Sequence, residues 1–205
     1  METLRKKNRS LEKYHTLVLN ADYSPMQLIN WRPAIESVVA DKAYVVDEHK
    51  DIFVHSEHLS VPLPSVIVRK HFKDMFRPAC LTRANVFTAY YTPDPERHGR
   101  HWVCGLCGER MTMADATFDH IVPRCKGGKS TWENLILAHA SCNNRKGSRM
   151  LHEAGMSLKV HLFTPTDADL ARQKMARFHE SNEEIVPESW MDFIGDAYYR
   201  SQLDE

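Results

Sequence analysis

Residues 104–146 read CGLCGERMTMADATFDHIVPRCKGGKSTWENLILAHASCNNRK. Two pairs of soft ligands bracket this stretch, Cys104 with Cys107 and His139 with Cys142. Each pair sits at the two-residue spacing of a tight turn, and together they offer three thiolates and an imidazole, a donor set suited to tetrahedral zinc. A site with four protein ligands keeps no open position, so this zinc is expected to be structural. Cys125, His101 and His98 are the candidate substitutes for His139. The pairs are separated by 31 residues, which is an insert clamped at its ends rather than a single knuckle.

Inside the clamp the residues are harder. The run from Thr117 through Asp119 and His120 to Pro123 reads as a strand ending in a polar pair. Lys126-Gly-Gly-Lys129 reads as a flexible basic loop. The run from Trp132 through Asn134 to Leu137 reads as a returning strand, and Ser141 to Lys146 as a helix start with Ser141 at the N-cap. The order predicts a strand, strand, helix unit in an α+β chain. Asn143 and Lys146 are three apart and share one helix face. A carboxylate, an imidazole and a carboxamide could then converge.

Working outward, the whole chain has 205 residues, 27 basic and 27 acidic, and 42% hydrophobic composition. That length suits one or two domains and can bury a sizeable core. No apolar run reaches the length of a membrane span. The charged start, Met1 to Lys13, lacks the apolar centre of a signal peptide. Five cysteines (Cys80, Cys104, Cys107, Cys125, Cys142), an odd number, argue against a disulfide framework and for a reducing, cytoplasmic setting. Cys125 reads as a free thiol and Cys80 as a buried small hydrophobe.

The neutral total conceals an uneven distribution. Residues 1–13 carry five basic and two acidic groups, residues 69–83 five and one, residues 100–150 eight and four, and residues 151–205 five and eleven. The middle of the chain could face a polyanion while the acidic tail offsets the sum. Four regions are expected. They are a basic segment 1–13, a small mixed α/β domain 14–95, the metal-bearing domain 96–155, and a helical acidic region 156–205. Within 14–95, strands are expected at Tyr14–Leu19, Tyr44–Val46, Ile52–Val54 and Val86–Tyr91. A turn is expected over Asn20–Pro25, a helix over Pro33–Lys42, and extended chain from Pro62 to Val68. Further helix is expected over 166–182. Trp190, Phe193, Ile194 and Tyr198 lie at helical spacing after Pro187, and Trp102 and Trp132 read as packing residues.

The central segment resembles the zinc-clamped HNH endonucleases. The family pattern C-x2-C, D-H-x-x-P, G-G, N-L, C-x2-C-N-x-x-K is met by Cys104, Cys107, Asp119, His120, Pro123, Gly127, Gly128, Asn134, Leu135, Cys142, Asn143 and Lys146. His139 stands where the family usually has a third cysteine. The motif covers about a quarter of the chain. The flanks, Val18 to Pro25 and Pro187 to Asp192, are more loosely similar to a bacterial and phage subgroup.

This resemblance implies a ββα-metal nuclease core, a DNA substrate and hydrolysis to 5′-phosphate and 3′-hydroxyl ends. It implies His120 as general base, and Asp119 and Asn143 as ligands of a catalytic Mg²⁺ or Mn²⁺. Asn134 would orient His120 or brace the loop. Lys146, Arg145, Lys126 and Lys129 would meet phosphate. A non-catalytic zinc module that binds DNA or protein is the alternative, and a thiol redox protein using Cys104 and Cys107 a third. Residues 14–95 could grip DNA through the 69–83 stretch, bind a protein partner or mediate dimerisation.

Overall fold

The structure is a computed structural model that describes residues 10–56, 60–92, 101–182 and 186–194. The chain forms two compact units, residues 1–75 with 174–205, and residues 76–173. The boundaries expected at 95 and 155 are displaced to 75 and 173. The reason is packing. Val86, Phe87 and Ala89 share one buried cluster with Trp102 and Ile136, and chain distant in sequence completes the first unit. The expected segment 1–13 is described only from Ser10 onward.

In the first unit, β1 (His15–Leu19) and β2 (Pro25–Asn30) form an antiparallel pair. Helix α1 (Trp31–Val39) follows, then β3 (Ala43–His55) and β4 (Ser60–Arg69). The sheet order is β2-β1-β4-β3, with β1 and β4 parallel. Helix α1 begins two residues before Pro33. A proline in the first turn removes no helical hydrogen bond, because those N–H groups have no partner within the helix. Its Ala34 packs with Val18, Ala43 and Ile67.

The two strands expected at 44–46 and 52–54 are one irregular strand. Glu48 faces Pro64 and Phe53 faces Pro62, so four residues of β3 bulge opposite Leu63. Proline has no N–H for the ladder, and the pairing slips where the two prolines stand. Further along the chain, the Trp190 indole is 2% exposed and donates to the Ser65 carbonyl at 3.0 Å. The Ser65 and Ser189 hydroxyls both donate to the Asp47 carboxylate, which they hold below its ordinary pKa although burial opposes this. Tyr198 lies outside the described residues.

In the second unit, helix α2 (Arg83–Ala89) precedes β5 (Tyr91–Thr92), β6 (His101–Val103) and β7 (Arg110–Met111), which form one sheet. Strands β8 (Ala116–His120) and β9 (Leu135–His139) form an antiparallel pair that runs directly into α3 (Ala140–Lys146). Residues 86–91, expected as a strand, are mostly helix. Thr82 accepts a hydrogen bond from the Asn85 N–H at 3.2 Å and starts it, a cap that a short apolar run does not reveal by periodicity. Ser141 is not the cap of α3, since His139 occupies that position and its side chain lies among sulfurs.

Trp102 and Trp132 are both buried and donate to the carbonyls of Phe87 and Ala79. Cys80 is exposed, contrary to expectation, while Cys125 is the free, exposed thiol expected. Helix α4 (Asp167–Ser181) starts where Thr166 and Asp169 exchange hydrogen bonds. The boundary between the units falls inside it, after Gln173. Among the described residues no helix is long and apolar enough to cross a membrane.

Candidate active site and metal centre

Cys104 and Cys107 lie on the turn between β6 and β7, His139 ends β9, and Cys142 is in the first turn of α3. Their ligand atoms all fall within 4.8 Å of one another. Tetrahedral zinc with Zn–S bonds of 2.3 Å sets sulfurs about 3.8 Å apart, so the donors fit zinc in both chemistry and spacing. His139 Nδ1 is 3.5 Å from Cys107 Sγ, and the His139 N–H donates to Cys104 Sγ at 3.4 Å. Burial pushes the Cys104 thiol up, but backbone N–H groups of His139, Cys107 and Leu106 outweigh it and bring the pKa down to about 7. Burial and the neighbouring thiols raise Cys142 to about 11. Of the alternatives to His139, His101 and Cys125 are not in the cluster, and His98 lies outside the described residues.

The polar pair ends β8. Asp119 is 5% exposed, and its Oδ1 accepts from Lys146 Nζ at 2.9 Å. Its Oδ2 is buried with no hydrogen-bond partner. A buried carboxylate oxygen without a partner is costly, and it is the hard donor that Mg²⁺ or Mn²⁺ takes. Asn143 Nδ2 donates to Thr117 Oγ1 and to the Phe118 carbonyl, both at 3.2 Å. These bonds orient the amide and leave Oδ1 as the atom it could offer to a cation. The residues therefore fit an oxygen-bound cation beside β8.

His120 Nε2 lies 2.9 Å from Ser130 Oγ. The sequence reading did not single out Ser130. The only signal is a hydroxyl two residues beyond the Gly-Gly turn.

Lys146 departs most from expectation. It was expected to meet phosphate, yet it is 0% exposed. Its Nζ donates to Asp119 Oδ1 and, at 2.7 Å, to the His120 carbonyl. One ammonium thus ties α3 to both residues at the end of β8. A buried ion pair is weak as a source of net stability, but removing one partner strands the other charge. Lys146→Met is expected to cost about 3–5 kcal/mol, checked by urea unfolding. Asp119→Asn combined with Lys146→Met should cost less than that single change, because no charge is then left unpaired.

The hydrogen bonds of the Asn134 side chain go to the loop and none of them to His120. The Asn134 Oδ1 accepts from the Val122 N–H at 2.8 Å, and its Nδ2 donates to the Val122 and Lys129 carbonyls. Gly127 has φ +87°, open to glycine at little cost. A Cβ on Gly128 would lie 1.8 Å from the Val122 carbonyl oxygen, so only glycine lets the loop close on Val122. Asn134→Ala leaves the Val122 amide without its acceptor, at a cost of about 1–3 kcal/mol. Hydrogen exchange at that amide should accelerate, and unchanged protection would remove Asn134 as the brace.

The other basic residues differ. Lys126 donates to both oxygens of Glu153 at 2.7 and 2.6 Å. Lys129 and Arg145 are exposed.

Residues 104–149 match the family HNH endonuclease, and residues 16–76 match the HNH endonuclease-associated N-terminal domain. Over 46 residues the chain is 41% identical to the CRISPR-associated endonuclease Cas9 of Corynebacterium diphtheriae. That match takes in 22% of this chain and only 4% of the relative. No solved structure matches the chain.

Proposed function

From the HNH endonuclease domain that this chain carries at residues 104–149, preceded by its associated N-terminal domain at 16–76, we propose that the protein is a metal-dependent DNA endonuclease with a ββα-metal core. The observation that carries the reading is the end of β8. There Asp119 presents a buried, unpartnered Oδ2 next in sequence to an imidazole already held by a hydroxyl. A non-catalytic zinc module needs neither group.

His120 takes a proton from the attacking water, a transfer that an imidazole side chain is suited to as a general base. Its Nε2 is engaged by Ser130, so Nδ1 is the atom left for the water. Asp119 and Asn143 would hold a divalent cation, and Lys146 holds the Asp119 carboxylate in place through Oδ1. The cation, when bound, offsets charge on the scissile phosphate and the departing 3′-oxygen. Arg145, Lys129 and Lys126 would meet the DNA backbone, the last after leaving Glu153. Backbone contacts of this kind add affinity without sequence choice. The structural zinc holds the two ends of the insert and takes no part in the chemistry. One such site cuts one strand, so double-strand breaks need a dimer or two visits.

The test is plasmid cleavage by zinc-loaded protein with and without added Mg²⁺ or Mn²⁺. Cleavage that needs the added ion and yields ends sealed directly by DNA ligase supports the reading. Zinc-loaded protein that leaves supercoiled, relaxed and single-stranded DNA intact in both ions would overturn it.

A further inference from the structure

The turn after β1 and the chain after β4 are joined by one buried side chain. Asn20 is 1% exposed. Its Nδ2 donates to the Lys73 carbonyl at 2.8 Å, and its Oδ1 accepts from the Lys73 N–H at 2.9 Å. Its own backbone closes the turn, accepting from Tyr23 and donating to Ser24. A buried amide thus uses both its donor and its acceptor to fix the backbone of a single residue, in a segment where His71, Phe72, Lys73 and Asp74 are all exposed. The clamp sets the direction of side chains that the core does not use.

Those side chains are an aromatic ring between an imidazole and an ammonium. Phe72 is 57% exposed. Isolated apolar side chains at a surface are ordinary, but this one stands between His71 and the Lys73 ammonium, next to a backbone that Asn20 pins. Lys42, exposed as well, borders the start of this segment, where its carbonyl accepts from the Lys70 N–H. Lys70 itself is occupied. It pairs with Asp41 and lies 4.5 Å from the centre of the Tyr44 ring, which neutralises the nearby acid. Asp74 is the one acidic residue in the 69–83 stretch. The surface therefore offers cations for phosphate and a ring face for a base, the two contacts that hold a strand with unpaired bases.

Resting on the reading that the chain acts on DNA, we infer that His71, Phe72 and Lys73, held by Asn20, form a contact surface for DNA carrying unpaired bases. Phe72 stacks on a base whose face a duplex would keep hidden, and Lys73 meets the adjacent phosphate. The N-terminal unit then selects gapped, flapped or otherwise opened DNA for the nuclease domain.

The experiment uses the full zinc-loaded chain without added Mg²⁺. It compares two fluorescent oligonucleotides of the same sequence by anisotropy, an intact duplex and one with a short single-stranded gap. The wild type is expected to prefer the gapped form. Phe72→Ala should lose about tenfold in affinity for the gapped form, with little change on the duplex. Lys73→Ala should weaken both and lower the salt slope by about one. Both residues are exposed, and unchanged zinc content and melting temperature verify each fold. If Phe72→Ala binds gapped DNA like the wild type while both cleave DNA, this surface is overturned and the nuclease reading stands. If the wild type neither binds nor cleaves any DNA, the nuclease reading fails and this inference with it.

Discussion

His120→Ala is expected to lower the rate of metal-dependent DNA cleavage by about 10²–10⁴-fold, the usual contribution of a positioned acid–base group. That corresponds to about 3–5 kcal/mol of transition-state stabilisation. The structure explains why the loss should fall on the chemistry and not on the fold. The imidazole has one hydrogen-bond partner, the Ser130 hydroxyl, in an exposed setting. The backbone of His120 pairs with Leu135 whatever the side chain, and its carbonyl still accepts from Lys146. Zinc content and melting temperature should therefore match the wild type, and DNA affinity should change little. Ser130→Ala should cost less than His120→Ala, because it loosens the ring without removing the base. Wild-type cleavage by His120→Ala would remove His120 as the base and leave Asp119 and the cation to be explained by another route.

The parts of this site that could be read from sequence are those encoded by short spacings. Two soft-ligand pairs at two-residue spacing point to one metal site, and the four candidate ligands are found together. Asp119, His120 and Asn143 stand out by residue type and neighbourhood and Asn134 through the family resemblance, and all four lie on or beside the β8–β9–α3 segment. What could not be read depends on partners distant along the chain. Lys146 looks like a surface cation because lysine is almost never fully buried unless paired, and its partner is 27 residues away. The boundary at residue 75 escaped because Lys174 onward rejoins the first unit, a return that composition does not mark. Helix α2 was mistaken for a strand because a short apolar run fits both periods. The bulge in β3 was hidden because its cause, Pro62 and Pro64, belongs to the opposite strand.

Removing the zinc is expected to unfold residues 76–173. The ligands come from the β6–β7 turn and from the β9–α3 junction, so the ion joins two places separated by 31 residues. Cys104 and Cys142 are themselves members of the buried cluster that contains Trp102, Trp132 and Ile136. Without the ion, Cys104 and Cys142 stay in that cluster with the half-buried Cys107 and His139, and only weak hydrogen bonds join the four. Apparent binding free energies of about 10–16 kcal/mol for structural zinc exceed the 5–15 kcal/mol that typically holds a domain together. A strong chelator or the change Cys142→Ala should therefore abolish the near-ultraviolet signal of buried Trp102 and Trp132, and cleavage should stop with it. Residues 10–56 and 60–75 contain separate clusters around Trp31 and Ile67, so the signal from the first unit should persist. His139→Cys is the informative control. It restores the fourth thiolate usual in the family, and zinc stoichiometry and stability should survive. A zinc-free chain that melts at the wild-type temperature would show that these four residues are packing side chains and that no structural metal holds the insert.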